Sequence, residues 1–227
     1  MSGVSHGSEL PIMKRILILE REYGSGGSEI AALAARRLGW KLLDQALTEE
    51  IARLAQVSTE VCKQREEQPD TWSYKLAKIF WYGSHERGTV FKPAGFLDAE
   101  RFVHFAQEVV TREAQKGHCV LVGRGAPYLL RERTDTLCVF LYAPRSFKFQ
   151  RVLSEVKDEA LAIELVDTAD EVRAEFLRHY AGERLSWPHR PFYHAMLNTA
   201  AGEEATVDTI IYLLEKANRR EGGGGSA

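Results

Sequence analysis

The sequence predicts a three-layer α/β domain built on a five-stranded parallel sheet. Short apolar runs without polar alternation, which are typical of strands covered on both faces, alternate along the chain with longer segments of helical periodicity. The first of these runs leads into a glycine-rich turn that opens a helix, as a βαβ unit requires. A parallel sheet covered by helices on both faces accommodates this alternation.

The predicted elements follow in order along one domain of residues 14–220. The apolar runs predict five strands, at Ile16–Leu19, Leu42–Leu43, Cys119–Val122, Leu137–Tyr142 and Ala195–Leu197. Helical periodicity predicts helices at Glu29–Leu38, Ala99–Lys116 and Glu203–Ala217. Gly39 and Gly117 stand where left-handed helix stops are expected, and Asp98 is placed to cap the second helix. A capping-box spacing at Thr168–Glu171 predicts another helix start.

Composition is that of a folded globular protein and narrows the classes of partner. Hydrophobic residues make up 44% of the chain and charged residues 27%, which excludes collagen-like and wholly disordered proteins. A net charge of -2 gives no general field for binding nucleic acid, so any anion site must be local. The longest apolar run, Leu137–Ala143, is far below the roughly 18 residues of a membrane span. We expect neither a nucleic-acid nor a membrane partner.

The chain ends and the cysteines indicate a cytoplasmic protein. Residues 1–13 and the Gly/Ser tail at 221–227 have no apolar periodicity and are expected to be flexible. The N-terminal end has no apolar segment of signal-peptide length. Three widely spaced cysteines fit neither a disulfide framework nor a zinc site, and Cys119 and Cys138 are expected to be buried, inert thiols.

A glycine-rich turn after the first strand is the strongest functional signal. The turn reads R-E-Y-G-S-G-G from Arg21, and its glycines allow the positive φ angles and close backbone approach that an anion site needs. The helix beginning near Ser28 adds its N-terminal amides and dipole. Against the pattern G-x-x-x-x-G-K-[ST], the turn keeps Gly26 and Ser28 but has Arg21 at the first glycine and Gly27 at the lysine. An ordinary glycine-rich βα turn is the alternative interpretation.

Four separated motifs resemble the cytidylate kinase-like family of P-loop nucleotide kinases. In chain order they are R-E-Y-G-S-G-G at 21–27, L-L-D at 42–44, C-V-L-V-G-R-G at 119–125 and Y-H-A-M-L-N-T at 193–199. The resemblance spans roughly residues 14–217. It implies a P-loop kinase fold, ATP with Mg²⁺ as the phosphoryl donor, and a nucleoside monophosphate acceptor, for which CMP or dCMP fits best.

The resemblance also implies roles for individual residues. The donor phosphates would be bound by the loop residues Arg21, Gly24, Ser25, Gly26, Gly27 and Ser28. The Ser28 hydroxyl would be the Mg²⁺ ligand. Asp44, at the end of the second strand, would lie near the metal or the acceptor, although a helix cap is an equally good interpretation. Arg124 would hold the acceptor phosphate with its planar guanidinium, unless it forms a structural ion pair.

Two long segments match the family's acceptor-binding insertion and its lid. The insertion, at about 45–117, is rich in aromatic residues that either pack it against the sheet or form a base pocket. The lid, at about 145–190, carries Arg151, which resembles an arginine that faces the donor. It also carries Asp170 and Arg173, which resemble an element that contacts the acceptor. Cations on a closing lid suit phosphoryl transfer between two anions, although solvated helix faces are the alternative.

Several departures from the family pattern leave other functions open. Gly27 replaces the loop lysine, a role that Arg21 or a lid arginine would have to fill. Gly125 and Val122 stand where the family carries acidic residues, including the one that reads the base. The alternatives are a regulatory module that binds nucleotide without turnover and a kinase for a different small acceptor. His194 replaces an aspartate of the last strand and is expected to be structural.

Overall fold

A computed structural model describes residues 13–43, 99–123, 125–181 and 186–222 of the chain. The strands are β1 (Ile16–Arg21), β2 (Lys41–Leu43), β3 (Cys119–Val122), β4 (Thr136–Tyr142) and β5 (Ala195–Asn198). The α-helices of these ranges are α1 (Gly27–Leu38), α2 (Ala99–Lys116), α3 (Ala126–Leu129), α4 (Arg145–Val156), α5 (Glu159–Ala181) and α6 (Glu203–Gly222). Asp44, Asp98, Arg124 and the aromatic residues between 45 and 98 lie outside the described residues.

All five strands run parallel in the order β2-β3-β1-β4-β5, which confirms the predicted sheet. The central strand β1 pairs with β3 on one side and with β4 on the other. In this register Leu19 lies opposite both Val122 and Val139. The carboxyl ends of β1, β3 and β4 therefore meet at one edge, where α/β proteins bind their ligands.

The two faces of the sheet bury separate apolar clusters. Ile16 and Ile18 of β1 point to a cluster that includes Val110 of α2, whereas Leu17 and Leu19 point to one formed with α1 and α6. All four β1 side chains are at most 1% exposed, and each contributes about 1.5–3 kcal/mol by burial. This packing fixes the end of β1. Among the described residues, no helix is both long and apolar enough to cross a membrane.

The helix α2, which the sequence analysis places inside the insertion, is part of the layer that covers the sheet. Its buried Glu113 binds Lys41 of β2 at 2.8 Å and Lys116 at 2.7 Å. Burial alone would raise the pKa of Glu113, but the hydrogen bonds from Lys116 and Lys41 lower it to about 2. The ion pair with Lys41 joins α2 to β2, while the pair with Lys116 lies within α2.

The predicted helix start at Thr168 is wrong, because Thr168 lies in the middle of α5. The helix begins nine residues upstream, at Glu159, and the preceding Asp158 carboxylate accepts a hydrogen bond from the Leu161 amide at 3.1 Å. The Thr168 hydroxyl instead donates to the Glu164 carbonyl of the preceding turn at 2.7 Å. An earlier cap and a continuous apolar stripe thus override the local signal.

Other local predictions are confirmed. Gly39 and Gly117 adopt φ angles of 66° and 69°, the left-handed conformation expected at a helix stop. Cys119 and Cys138 are buried free thiols. Burial raises the pKa of the Cys119 thiol to about 11 and that of Cys138 further, so both stay protonated at neutral pH.

His194 has a structural hydrogen bond that depends on pH. Its Nδ1 accepts from the Cys138 amide at 3.0 Å, and its own amide donates to the Cys138 carbonyl at 2.8 Å. Burial and the nearby charge of Lys14 lower the pKa of His194 below 6.5. As the pH falls, the unfolded chain therefore takes up this proton at a higher pH than the folded chain does. We expect the free energy of unfolding to fall as the pH drops below about 6.5.

Urea unfolding of the wild type and His194→Asn between roughly pH 5 and 8 tests this expectation. The Asn side chain offers an oxygen in place of Nδ1 but does not titrate, so the variant should lose part of the pH dependence. Equal pH slopes in the two proteins would assign the dependence to other groups.

Candidate active site

The turn between β1 and α1 is held by hydrogen bonds to its own backbone carbonyl groups. Gly24 and Gly26 have φ angles of 74° and 78°, which glycine adopts without strain. The Ser25 hydroxyl donates to the Glu22 carbonyl at 2.8 Å, and the Gly26 carbonyl accepts from the Ile30 amide at 3.1 Å. Gly26 is therefore the N-cap of α1. The first amides of that helix have no partner within the helix and point out of its N-terminus, as in anion sites.

The helix α4 covers this loop. A Cβ atom at Gly24 would lie 2.9 Å from Val152 Cγ2 and 3.1 Å from the Lys148 carbonyl oxygen. A Cβ atom at Gly26 would lie 3.0 Å from the guanidinium carbon of Arg151. Gly24 is thus required by the close approach of α4 as well as by its φ angle, whereas Gly26 is required by its φ angle.

Arg151 lies at the loop, with its guanidinium over Gly26, while its role towards the donor stays a prediction. Its guanidinium binds Glu29 at 2.8 Å and Glu203 at 2.9 Å, and Glu155 lies 3.9 Å away. The side chain is 20% exposed, so solvent screens these charges only in part. Three carboxylates thus balance the positive charge of Arg151 beside the loop backbone.

Asp170 and Arg173 of α5 bind the backbone of the loop. The Asp170 carboxylate accepts from the Tyr23 amide at 2.8 Å. Arg173 Nη1 donates to the Arg21 carbonyl at 3.1 Å and to Asp170 at 3.0 Å. The ring of Tyr23 is buried in a cluster with Val152 and residues of α5. The predicted lid is therefore packed on the loop, while the acceptor contacts of Asp170 and Arg173 stay predictions.

Lys148 is a further cation of the site that the sequence analysis did not select. Its ammonium group bridges Glu22 at 3.1 Å and Asp170 at 3.2 Å. Burial alone would lower its pKa, but the charges of Asp170 and Glu22 raise it. In the sequence, the feature that could have indicated Lys148 is its position one helical turn before Arg151.

Arg21 occupies the space that Gly27 leaves open. A Cβ atom at Gly27 would lie 2.7 Å from Arg21 Cγ and 2.8 Å from Arg21 Cβ. The Arg21 guanidinium reaches the end of β3, where it fills the space that a side chain at Gly123 would need. Arg21 is only 9% exposed, and no carboxylate of the described residues forms an ion pair with it. The charge of the neighbouring Glu20 carboxyl interacts with Arg21 but forms no direct ion pair with it. Because a buried cation that lacks a direct ion pair is costly, this position suits a bound anion.

Ser28, the predicted Mg²⁺ ligand, lies at the start of α1, and its role as a ligand stays a prediction. It is the second residue of α1, and its hydroxyl is buried beside the loop. The part of the chain that the structure describes holds no cluster of three or more His, Cys, Asp or Glu residues for a metal. Mg²⁺ in phosphoryl-transfer sites takes most of its ligands from phosphate and water, so a single hydroxyl fits this ion.

Glu20 also belongs to this edge of the sheet, although the sequence analysis did not select it. It precedes Arg21 in β1 and is 3% exposed, and its Oε1 accepts from the Arg21 amide at 3.1 Å. Burial raises the pKa of Glu20, an effect that the charges of Arg21 and Arg173 oppose. In the sequence, the feature that could have indicated Glu20 is its position as an acidic residue at the end of an apolar run.

Two predicted site residues, Asp44 and Arg124, fall outside the described residues. The structure does describe the residues next to them in the chain. Leu43 ends β2, and Gly123 and Gly125 adopt φ angles of 62° and 70° at the carboxyl end of β3. The acceptor roles of Asp44 and Arg124 stay predictions.

The sequence matches one known family over most of its length. A sequence profile described as "Cytidylate kinase-like family" matches residues 16–201. None of the curated protein sequences compared with the chain matches it.

Solved structures share the fold at low sequence identity. An uncharacterised protein from Eubacterium ventriosum ATCC 27560 superposes with a TM-score of 0.63 at 20% identity, covering 89% of this chain and 99% of that one. A gluconokinase from Sinorhizobium meliloti 1021 gives 0.53 at 12% identity, with coverages of 96% and 99%. A shikimate kinase from Bacteroides thetaiotaomicron gives 0.50 at 16% identity, with coverages of 88% and 98%. At these identities the likeness is one of fold.

The contact between Arg21 and Gly27 predicts a specific effect of Gly27→Ala. The added methyl group would overlap Cγ and Cβ of Arg21, so we expect a loss of about 1–3 kcal/mol in the free energy of unfolding. In the Arg21→Ala background Cγ is gone, and the same change should cost about 1 kcal/mol less.

Urea unfolding of the two single variants and the double variant measures this coupling. Additive effects would show that Arg21 does not occupy the space beside Gly27 in solution.

Proposed function

This chain belongs to the cytidylate kinase-like family, and from that premise we propose that it transfers the γ-phosphoryl group of ATP to a nucleoside monophosphate. CMP and dCMP are the first candidate acceptors, because the family resemblance favours them. Membership in a kinase-like family and the shared fold of P-loop kinases support phosphoryl transfer in general. The choice of acceptor is part of the proposal.

The buried guanidinium of Arg21 is the observation that carries the proposal. The side chain runs past Gly27, the position from which a loop lysine would reach the donor phosphates. It thereby brings a cation to the same edge of the sheet from a different position in the chain. A guanidinium also suits phosphate oxygens, which it binds in a bidentate manner. We infer that Arg21 takes the place of the loop lysine.

The other residues of the loop have separate tasks in this proposal. The amides of the loop and of the first turn of α1 bind the donor phosphates, and Ser28 provides one ligand to Mg²⁺. The bound ion neutralises charge on the β- and γ-phosphates. Asp170 and Arg173 hold the loop backbone in place. Positioning and charge stabilisation account for the reaction, so no protein nucleophile is needed.

Arg151 would exchange partners when the donor binds. In the free protein it binds Glu29 and Glu203 directly over Gly26. A triphosphate that enters the loop meets this guanidinium and competes with both carboxylates for it. The exchange places a cation beside the transferring group without bringing a new charge to the site.

The position of α4 over the loop favours one alternative function. A Cβ atom at Gly24 would lie 2.9 Å from Val152 Cγ2, so α4 leaves little room over this part of the loop. Restricted access at this position is compatible with a regulatory module that binds nucleotide without turnover. Kinases with other acceptors share the fold, so a different small acceptor is the second alternative.

ADP release separates these possibilities when ATP and Mg²⁺ are supplied with CMP, dCMP, UMP, AMP, shikimate or gluconate in turn. Turnover with CMP or dCMP supports the proposal. Turnover with one of the other compounds, and with neither CMP nor dCMP, assigns a different acceptor. Calorimetric binding of Mg-ATP without turnover supports the regulatory alternative, and an absence of both heat and turnover overturns all three.

The role of Arg21 predicts a large kinetic effect. Arg21→Ala should lower kcat by about 10²–10³, the usual effect of removing one preorganised donor from the transition state, and Arg21→Lys should recover part of the loss. Arg15→Ala is the matched control, because Arg15 precedes β1 at the opposite edge of the sheet and pairs with Asp135. A normal kcat in Arg21→Ala would remove this residue from the reaction.

The partner exchange of Arg151 predicts that Glu203→Gln tightens donor binding. The change removes a competing carboxylate, while Glu29 still holds the guanidinium at the loop. Calorimetry should show a Kd for Mg-ATP lower by about two- to fivefold. The adjacent Glu204→Gln is the control, since Glu204 pairs with Arg37. Weaker binding in Glu203→Gln would mean that Glu203 supports the donor site.

A further inference from the structure

The Arg21 side chain follows a path that is set by two glycines on different elements. Its stem lies beside Gly27 at the start of α1, where a Cβ atom would come within 2.8 Å of Arg21 Cβ. Its tip lies at Gly123, where a Cβ atom would overlap Arg21 Nη1 and lie 3.6 Å from Arg21 Cζ. One end of the side chain thus contacts the glycine-rich turn, and the other end contacts the carboxyl end of β3.

The backbone at each end of this path is held by hydrogen bonds. The Arg21 carbonyl accepts from Arg173 Nη1 at 3.1 Å. The Gly123 amide donates to the Leu19 carbonyl at 2.9 Å, and the Gly123 carbonyl accepts from the Ala126 amide at 3.0 Å. A side chain added at position 123 would therefore displace the flexible tip of Arg21 and leave the backbone in place.

Glu20 lies on the other side of the space at Gly123. Its Oε1 is 3.5 Å from the place of the Gly123 Cβ atom, and its charge interacts with that of Arg21 without a direct ion pair. Further from Arg21, Glu20 lines a small aromatic cavity whose walls include Tyr128, Trp187, Phe192 and Tyr193. The carboxyl is 3% exposed, so solvent screens its charge little. Its attraction favours a guanidinium that stays in the space at Gly123.

The guanidinium reaches from the proposed donor site towards the predicted acceptor site. Gly27 belongs to the turn that would bind the donor phosphates, whereas Gly123 directly precedes Arg124, the predicted acceptor residue. A cation that spans these two positions faces the group in transfer, where charge develops in the transition state. Displacing this cation should slow the transfer more than it weakens donor binding.

We propose that Gly123 is a positioning residue for phosphoryl transfer, which acts by admitting the Arg21 guanidinium to the end of β3. This inference rests on the proposed function and gives the two glycines different tasks. A methyl group at Gly27 meets the Arg21 stem, which is attached to a fixed backbone, so its cost falls on stability. A methyl group at Gly123 meets the flexible tip, so its cost falls on the rate.

ADP release by Gly123→Ala, with ATP, Mg²⁺ and the acceptor that the wild type uses, tests this role. We expect kcat to fall by about 10- to 100-fold, because a misplacement of about 1 Å at a reacting centre can cost this much. The KM for ATP should stay near the wild-type value, as expected when the lost interaction is made only in the transition state. A raised KM at unchanged kcat would contradict the inference, since Arg21 would then only bind the donor.

Gly125→Ala is the matched control for backbone strain. Gly125 has a φ angle of 70°, close to the 62° of Gly123, and stands on the other side of position 124. Its Cβ atom would meet Leu177 Cδ2 at 3.9 Å, which is an ordinary contact. The variant should keep most of the wild-type kcat. Equal losses in Gly123→Ala and Gly125→Ala would assign the effect to strain and overturn the inference.

The Arg21→Lys background shows whether Gly123 acts through Arg21. Lysine has no atom equivalent to Nη1, and the nearest remaining position, that of Cζ, is 3.6 Å from the Gly123 Cβ place. Adding Gly123→Ala to Arg21→Lys should therefore lower kcat no more than Gly125→Ala does in the wild type. An undiminished loss in this background would show that Gly123 does not act through Arg21.

Thermal unfolding checks that each variant is folded. If Gly123→Ala does not fold, Gly123→Asn and Gly125→Asn repeat the comparison, because asparagine carries a Cβ atom and tolerates left-handed φ angles better than alanine. If the wild type turns over an acceptor while the two positions respond alike, this inference fails alone. If the wild type turns over none of the acceptors, the proposed function fails and this inference fails with it.

Discussion

The contact between Arg21 and Gly27 determines how the candidate site is built. The Arg21 stem lies where a side chain at position 27 would lie, so the first helical position must be glycine. The guanidinium is thereby directed across the edge of the sheet to Gly123. A cation that would otherwise come from the loop comes instead from the strand, whose backbone is held by hydrogen bonds to both neighbours. The charge is therefore placed by the central strand of the sheet.

The ion pairs between the loop and α4 and α5 are the second constraint on the site. Lys148, Asp170 and Arg173 connect the two helices to the backbone and side chains of the loop, while Arg151 connects α4 to α1 and α6. Partly buried pairs of this kind are screened little by salt. Each cation already has a carboxylate, so an incoming anion replaces existing partners. In the proposed function, donor binding would therefore be an electrostatic exchange of partners at the loop.

The last two residues of β1 bring opposite charges to one edge of the sheet. Successive residues of a strand point to opposite faces, so Glu20 and Arg21 leave β1 in different directions. Arg21 packs against Gly27 beside α1, and Glu20 lines the aromatic cavity beside α3. Their polar ends nevertheless converge at Gly123, where the Arg21 guanidinium fills the place of a Cβ atom and Glu20 Oε1 lies 3.5 Å from that place. The charge of Arg21 therefore opposes the rise in the pKa of Glu20 that burial causes.

Apolar periodicity and turn residues predict the sheet, the glycine stops and the glycine-rich turn after β1, because these signals act over a few neighbouring positions. The local cap signal at Thr168 gave a wrong helix start, since an upstream cap and a buried apolar stripe outweighed it. Three contacts could not be predicted in this way: α4 covers the loop, Arg21 fills the space at Gly27, and Glu20 and Trp187 line one cavity. Those contacts join residues far apart in the chain, and no local pattern records which of them the packed helices bring together.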